Sequence, residues 1–248
     1  MKKIGMVGGI AWLSTAEYYM ELCRRSEERH IARKDPGLPG TPEMSIESLD
    51  LNRAFSLVGD DEDGASWAGF EEYHRAALMR VEQSGADFAV IASNTPHIRW
   101  AEITRGIRIP VLSIIDAVAR ECAGIGAREM LILGTKPTMK AARFREGFFK
   151  HGIAAAGPRD ETGLSETAEL IHGLQRGKTA GAAGRVEEIA RGAFGQFGGQ
   201  PAVALCCTEL PLAFPEEKVK TTFQRNGITY LNSTLIHIQA AFEFAIAE

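Results

Sequence analysis

The sequence predicts an α/β protein built as two similar lobes around parallel sheets. Short runs rich in Val, Ile and Leu alternate with longer amphipathic stretches, the pattern of βα units around a sheet buried on both faces. One strand-end plan is also written twice. "GADFAVIASNTPH" (85–97) and "GGQPAVALCCTELP" (198–211) each run from glycine through an apolar strand to a nucleophilic side chain and a threonine. At 248 residues the chain is near the upper limit for one core, so the duplication reads as two lobes.

In chain order, a first strand is expected at residues 2–7, where "KIGMVGG" (3–9) closes an apolar run in a glycine turn. "RRSEERHIARK" (24–34) mixes charge signs at helical spacing and reads as the solvated face of the helix that follows. Ser14 and Glu17 have the S-x-x-E spacing of a capping box and mark that helix's start. "RKDPGLPGTPEM" (33–44) and "GDDEDGAS" (59–66) are exposed loops by their Pro, Gly and acidic content, and a strand at 43–49 lies between them. Further strands are expected at 87–92, 109–112, 129–133, 151–155, 201–206 and 228–231. Helices fill most of the gaps, and "RGKTAGAAGR" (176–185) separates two of them. "MLILGTK" (130–136) repeats the strand and glycine turn of residues 3–9.

Composition excludes several classes of function. With 28 Lys and Arg against 32 Asp and Glu, the chain has a net charge of -4 and no basic cluster suited to phosphate, so no nucleic acid is expected. No run of about 18 apolar residues predicts a membrane span, and the segment before Gly8-Gly9 is too short for a signal peptide. A cytoplasmic protein is expected. Cys23, Cys122, Cys206 and Cys207 form no C-x-x-C pair and are read as thiols, the first two as core residues. "GMVGGIAWLST" fits neither nucleotide-binding glycine motif, the six histidines lack ligand spacing, and no lysine suggests a pyridoxal Schiff base. Neither metal nor organic cofactor is expected.

The duplicated strand ends place Ser93 and Cys207 at equivalent points, each followed by hydrogen-bonding side chains: Asn94 and Thr95 in one, Thr208 and Glu209 in the other. Thr95 and Thr208 read as N-caps of the next helices, whose free backbone N–H groups would favour a substrate carboxylate. If a pseudo-twofold axis relates the lobes, both strand ends face one cleft, where open α/β sheets bind ligands. His97 suits either a structural hydrogen bond or a role near that site. The Cys207 thiol is the more acidic of the two groups, since a thiol's ordinary pKa of about 8.5 falls toward neutrality at a helix N-terminus or beside donors. A serine without a neighbouring base is a poor proton acceptor.

"GMVGGIAWLSTAEYY" (5–19), "SNTPH" (93–97), "LGTKPTM" (133–139) and "CCTEL" (206–210) together resemble the motifs of the aspartate/glutamate racemase family. That cofactor-independent group also holds hydantoin racemases, maleate isomerases and arylmalonate decarboxylases. The resemblance implies two Rossmann-like lobes, one of residues 1–108 plus 214–248 and one of 109–213, with the active site in the cleft between them. It also implies a homodimer acting on an amino acid or related carboxylate. By the same resemblance Cys207 moves the Cα proton on one face, and Ser93 stands where the family places its other cysteine. Asn94, Thr95, Thr135, Thr138 and Thr208 match positions that hold the substrate's carboxylate and amino group. Cys206 takes the usual glycine position, pointing away from Cys207 by strand alternation. Leu164 stands where aspartate-type members carry a lysine for the distal carboxylate, with Arg53, Arg159 or Lys178 as possible substitutes. An amino-acid racemase is therefore expected. The alternatives are a decarboxylase or cis-trans isomerase using a single cysteine, and a non-catalytic carboxylate-binding protein.

Overall fold

Both sheets anticipated from the apolar runs are present in the computed structural model, which describes residues 1–60 and 63–247. The chain divides into a first unit, Met1–Ser113 with the segment from His237 onward, and a second unit, Ile114–Ile236. Residues 61 and 62 of the expected 59–66 loop lie outside the described residues.

The first unit contains β1 (Ile4–Gly8), α1 (Trp12–Arg33), β2 (Met44–Ser48), α2 (Leu51–Ser56) and a 3-10 turn (Gly64–Trp67). It continues with α3 (Ala68–Gln83), β3 (Phe88–Ile91), a second 3-10 turn (Thr95–Arg99), α4 (Trp100–Ile103) and β4 (Val111–Leu112). The sheet order is β2-β1-β3-β4, and every pairing is parallel. All residues of the central strands β1 and β3 are buried, whereas edge strand β2 is partly exposed throughout, which is why only the central runs are continuously apolar. Gly9, at φ +82°, makes the turn after β1, where a side chain would collide with the Leu49 backbone.

The second unit contains α5 (Ile114–Gly124), β5 (Glu129–Gly134), α6 (Lys136–Lys140), α7 (Ala142–Phe149), β6 (Ala154–Ala156), α8 (Glu161–Gln175) and α9 (Ala182–Phe194). Then come β7 (Ala202–Cys206), a 3-10 turn (Leu210–Ala213), β8 (Thr222–Arg225), β9 (Ile228–Asn232) and α10 (Ser233–Ile246), which ends in the first unit. Its sheet runs β6-β5-β7-β9-β8, parallel except for β8. Leaving out β8, the strand order repeats that of the first unit, and β3 and β7 hold the same place in it. The duplication legible in sequence is thus a duplication of topology.

Four expectations are corrected. Residues 214–236 belong to the second unit, not the first, because β9 hydrogen-bonds to β7 in the second sheet; the chain returns only at His237. β8 is not among the expected strands, being a short edge strand in which only Phe223 is buried, although Asn226-Gly227 carries the left-handed turn signal of a hairpin at φ 49° and 79°. The strand expected at 151–155 starts only at Ala154, since the His151 and Ile153 amides bond back to the Phe148 carbonyl at the end of α7. Ser14 and Glu17 form no capping box. The N-cap of α1 is Ala11, and Ser14 sits within the helix, donating from Oγ to the Ala92 carbonyl at 2.8 Å.

One core residue sets an acid limit on stability. His74 on α3 is fully buried, with Nδ1 2.7 Å from the Phe70 carbonyl and Nε2 without a partner. Burial lowers its pKa to about 4. A depressed histidine contributes stability above its unfolded pKa of about 6.5 and loses it as pH falls toward the folded value, here on the order of 3 kcal/mol by pH 4. Urea titrations from pH 7 to 4.5 should show His74→Gln losing less stability over that interval than the wild type. Parallel slopes would show that other groups govern acid unfolding.

Candidate active site

In the first unit, β3 delivers Ser93. The strand ends in a tight turn in which the Ser93 amide donates to the Ile91 carbonyl at 2.8 Å. Ser14 of α1 fixes the Ala92 carbonyl one residue earlier, and His97 Nδ1 lies 2.9 Å from the Ser93 carbonyl. Asn94 is buried, while Ser93 and Thr95 are half-buried. His97 therefore makes a structural hydrogen bond at the site itself, joining the two roles considered for it.

In the second unit, β5 and β7 run side by side with Gly134 paired to Cys206, an approach so close that a side chain on Gly134 would meet the Cys206 carbonyl at 2.8 Å. This brings the ends of the two strands together. Thr135 caps α6, its hydroxyl 3.4 Å from the Thr138 amide and 2.9 Å from Thr138 Oγ1, and Thr138 is fully buried. At the end of β7, the Cys207 thiol donates to Glu209 Oε2 at 2.9 Å, and Thr208 Oγ1 donates to the same oxygen at 3.0 Å. Gln175 Nε2 reaches the other carboxylate oxygen at 3.4 Å. Glu209 is 4% exposed and Cys207 8%. The structure thus gathers Cys207, Thr208, Thr135 and Thr138 in one unit and Ser93, Asn94 and Thr95 in the other.

Two electrostatic expectations fail here. Thr95 and Thr208 cap no long helix: the segments after them are 3-10 turns of five and four residues, entered through Asn94 and Glu209 without side-chain caps. A helix-terminal anion site cannot be built on such short turns. The Cys207 thiol is also pushed up, not down, first by burial and then by the charge of Glu209. Both effects favour the protonated thiol, which donates to Glu209. Cys206, almost completely buried, is raised by burial alone.

By residue type Glu209 is one more hydrogen-bonding side chain; the structure places it against the Cys207 thiol. The signal was the C-x-E spacing just past a strand end, but only the turn shows that the carboxylate folds back onto the thiol. Removing its charge should lower the thiol pKa. Glu209→Gln is therefore expected to bring the onset of Cys207 alkylation by iodoacetamide to lower pH while slowing turnover. An unchanged alkylation profile would show that burial alone holds the thiol protonated.

Leu164 is 4% exposed, on the buried side of α8, whose N-cap is Asp160. A cation from another element reaches the start of that helix: Lys136 Nζ lies 2.8 Å from Glu161 Oε1 and 3.2 Å from Ser165 Oγ. Among the suggested substitutes, Arg53 lies over the Tyr73 ring at 4.5 Å in the first unit.

Two parallel-sheet lobes of repeated strand order, with a hydroxyl and a thiol on equivalent strand ends, define the class of the Asp/Glu racemase fold. The chain belongs to the Asp/Glu/Hydantoin racemase family, whose model matches residues 7–241. Its fold is shared with an aspartate racemase homologue from Pyrococcus horikoshii OT3, at 30% identity and TM-score 0.74 with both chains covered in full. A candidate Asp/Glu racemase from Yersinia pestis is similar at 25% identity and TM-score 0.78, again over both full chains. The broad specificity amino-acid racemase RacX of Bacillus subtilis strain 168 is 29% identical over 68 residues, a match spanning 27% of this chain and 30% of that relative.

Proposed function

We infer that this protein is a cofactor-independent amino-acid racemase that moves the Cα proton with Cys207, assisted by Glu209, and with an attenuated partner at Ser93. The observation that carries this reading is the buried thiol-carboxylate pair at the end of β7. A buried carboxylate 2.9 Å from a thiol gives the thiol proton somewhere to go. When the pair acts as base, that proton passes to Glu209 and the thiolate takes hydrogen from Cα, leaving the electron pair delocalised into the substrate carboxylate. When it acts as acid, the thiol hydrogen goes to Cα, and a proton from water, passed by way of Glu209, restores the thiol. The substrate's ammonium offsets the negative charge of this arrangement, which the free enzyme avoids by keeping the thiol protonated.

Asn94, Thr95, Thr135, Thr138 and Thr208 supply donors for the carboxylate on which charge develops. Ser93 has no carboxylate beside it in the 93–95 turn, so it serves its face by a hydrogen bond or a relayed water. Leu164 is buried where aspartate-type members carry a lysine, and Lys136 is paired with Glu161, which favours a substrate with a short or apolar side chain. A homodimer is part of the same reading and is tested by sedimentation.

The direct test is incubation of both enantiomers of alanine, leucine, methionine, aspartate and glutamate in D₂O, followed by chiral chromatography and mass analysis. Inversion with one deuterium gained at Cα is expected, with the neutral amino acids ahead of the acidic ones. The lone thiol also suits a reaction that protonates one face only. Loss of CO₂ from an arylmalonate, or isomerisation of maleate, without amino-acid inversion would replace the racemase by those chemistries. Binding without any turnover would mark a carboxylate-binding protein.

A further inference from the structure

Besides His74, the core of the first unit holds His97, His237 and Tyr18, which the proton transfer itself does not use. His97 and His237 are 2% and 0% exposed, and their rings meet edge to face at 5.9 Å between centroids. Fully buried Tyr18 of α1 places its hydroxyl 2.8 Å from His237 Nδ1, and His237 Nε2 lies 3.0 Å from the Leu112 carbonyl at the end of β4. The His97 ring stacks on Trp100 with planes 9° apart and centroids at 4.7 Å.

These partners fix the ring hydrogens. A carbonyl only accepts, so His237 carries its hydrogen on Nε2 and offers Nδ1 as acceptor to the Tyr18 hydroxyl, which burial keeps protonated. Burial, with His237 alongside, lowers the His97 pKa to about 3, so that ring is neutral and has one hydrogen to give. Its Nδ1 lies 2.9 Å from the Ser93 carbonyl, which only accepts, so the hydrogen of His97 sits on Nδ1, toward Ser93.

We propose that His97 is a positioning residue for Ser93, held in one tautomer and one orientation by His237, Tyr18 and Trp100. The Ser93 amide is committed to Ile91 and its carbonyl to His97, so both backbone groups are pinned and only the side chain can turn. This role rests on the reading that Ser93 acts in the reaction, and the experiment separates the two.

His97→Phe keeps a stacking ring and removes the N–H; His97→Asn keeps an N–H near the place of Nδ1. In Cα exchange of L- and D-alanine in D₂O, His97→Phe is expected to lower kcat at least tenfold for the enantiomer processed on the Ser93 face, with KM changed less than threefold. His97→Asn should recover most of that loss. ¹⁵N NMR of the wild type should show hydrogen on His97 Nδ1 and His237 Nε2, and Ser93 amide exchange should quicken at least tenfold in His97→Phe but not in His97→Asn. Wild-type kcat and Ser93 amide protection in His97→Phe, or hydrogen on His97 Nε2, would overturn the proposal. If Ser93→Ala leaves both enantiomers' exchange unchanged, the role of Ser93 in the reaction falls instead, and the tautomer and amide measurements still decide the role of His97.

Discussion

Cys207→Ala should abolish turnover while leaving the protein folded. In the proposed reaction the side chain does two things that alanine cannot: it carries the transferred proton, and it links that proton to Glu209 across 2.9 Å. A loss of at least about a thousandfold in kcat/KM is expected, equivalent to about 4 kcal/mol of transition-state stabilisation. Folding should change little. Cys207 lies at the margin of the second core beside Leu205 and Leu210, and alanine removes one sulfur atom there, a change on the order of 1 kcal/mol. Glu209 keeps Thr208 and Gln175 as partners after the change. Cys206→Ala is the control, since that thiol lies inside the strand and faces none of these groups in hydrogen bonding. Retention of a tenth of wild-type kcat/KM in Cys207→Ala would remove the thiol from the mechanism.

Ser93→Cys should make the two proton-transfer faces more nearly equal. On the proposed racemase reading the thiol and carboxylate at the end of β7 serve one face and a half-buried hydroxyl the other, so exchange of one alanine enantiomer in D₂O should exceed that of the other. A thiol in place of the hydroxyl offers a group whose ordinary pKa of about 8.5 is far closer to neutrality. The slower exchange should rise on the order of tenfold or more, with the faster one unchanged within about twofold. The substitution enlarges the side chain modestly where it is not fully enclosed, so the fold should accept it. An unchanged asymmetry, or loss of all activity, would make Ser93 an element of a one-sided reaction and favour the decarboxylase or isomerase chemistry.

The amino-acid sequence by itself determined the α/β class, the place of nearly every parallel strand, and the two strand ends that carry Ser93 and Cys207. It could do so because those features are local: a strand buried on both faces is a continuous apolar run, and glycine and threonine mark where it stops. Family likeness was legible for the same reason, since its motifs are the turns that close those strands. Tertiary structure alone decided what depends on partners distant in sequence. Pairing of β9 with β7 assigned residues 214–236 to the second unit, and no local pattern in "GITYLN" names that partner. Packing on the Ala92 carbonyl made Ser14 an interior helix residue where its spacing with Glu17 suggested a cap. The direction of the Cys207 pKa shift was beyond sequence for a deeper reason. Residue types say that a thiol can be lowered or raised, but the sign follows from water excluded and from which charge folds onto it, and here burial and Glu209 both act upward.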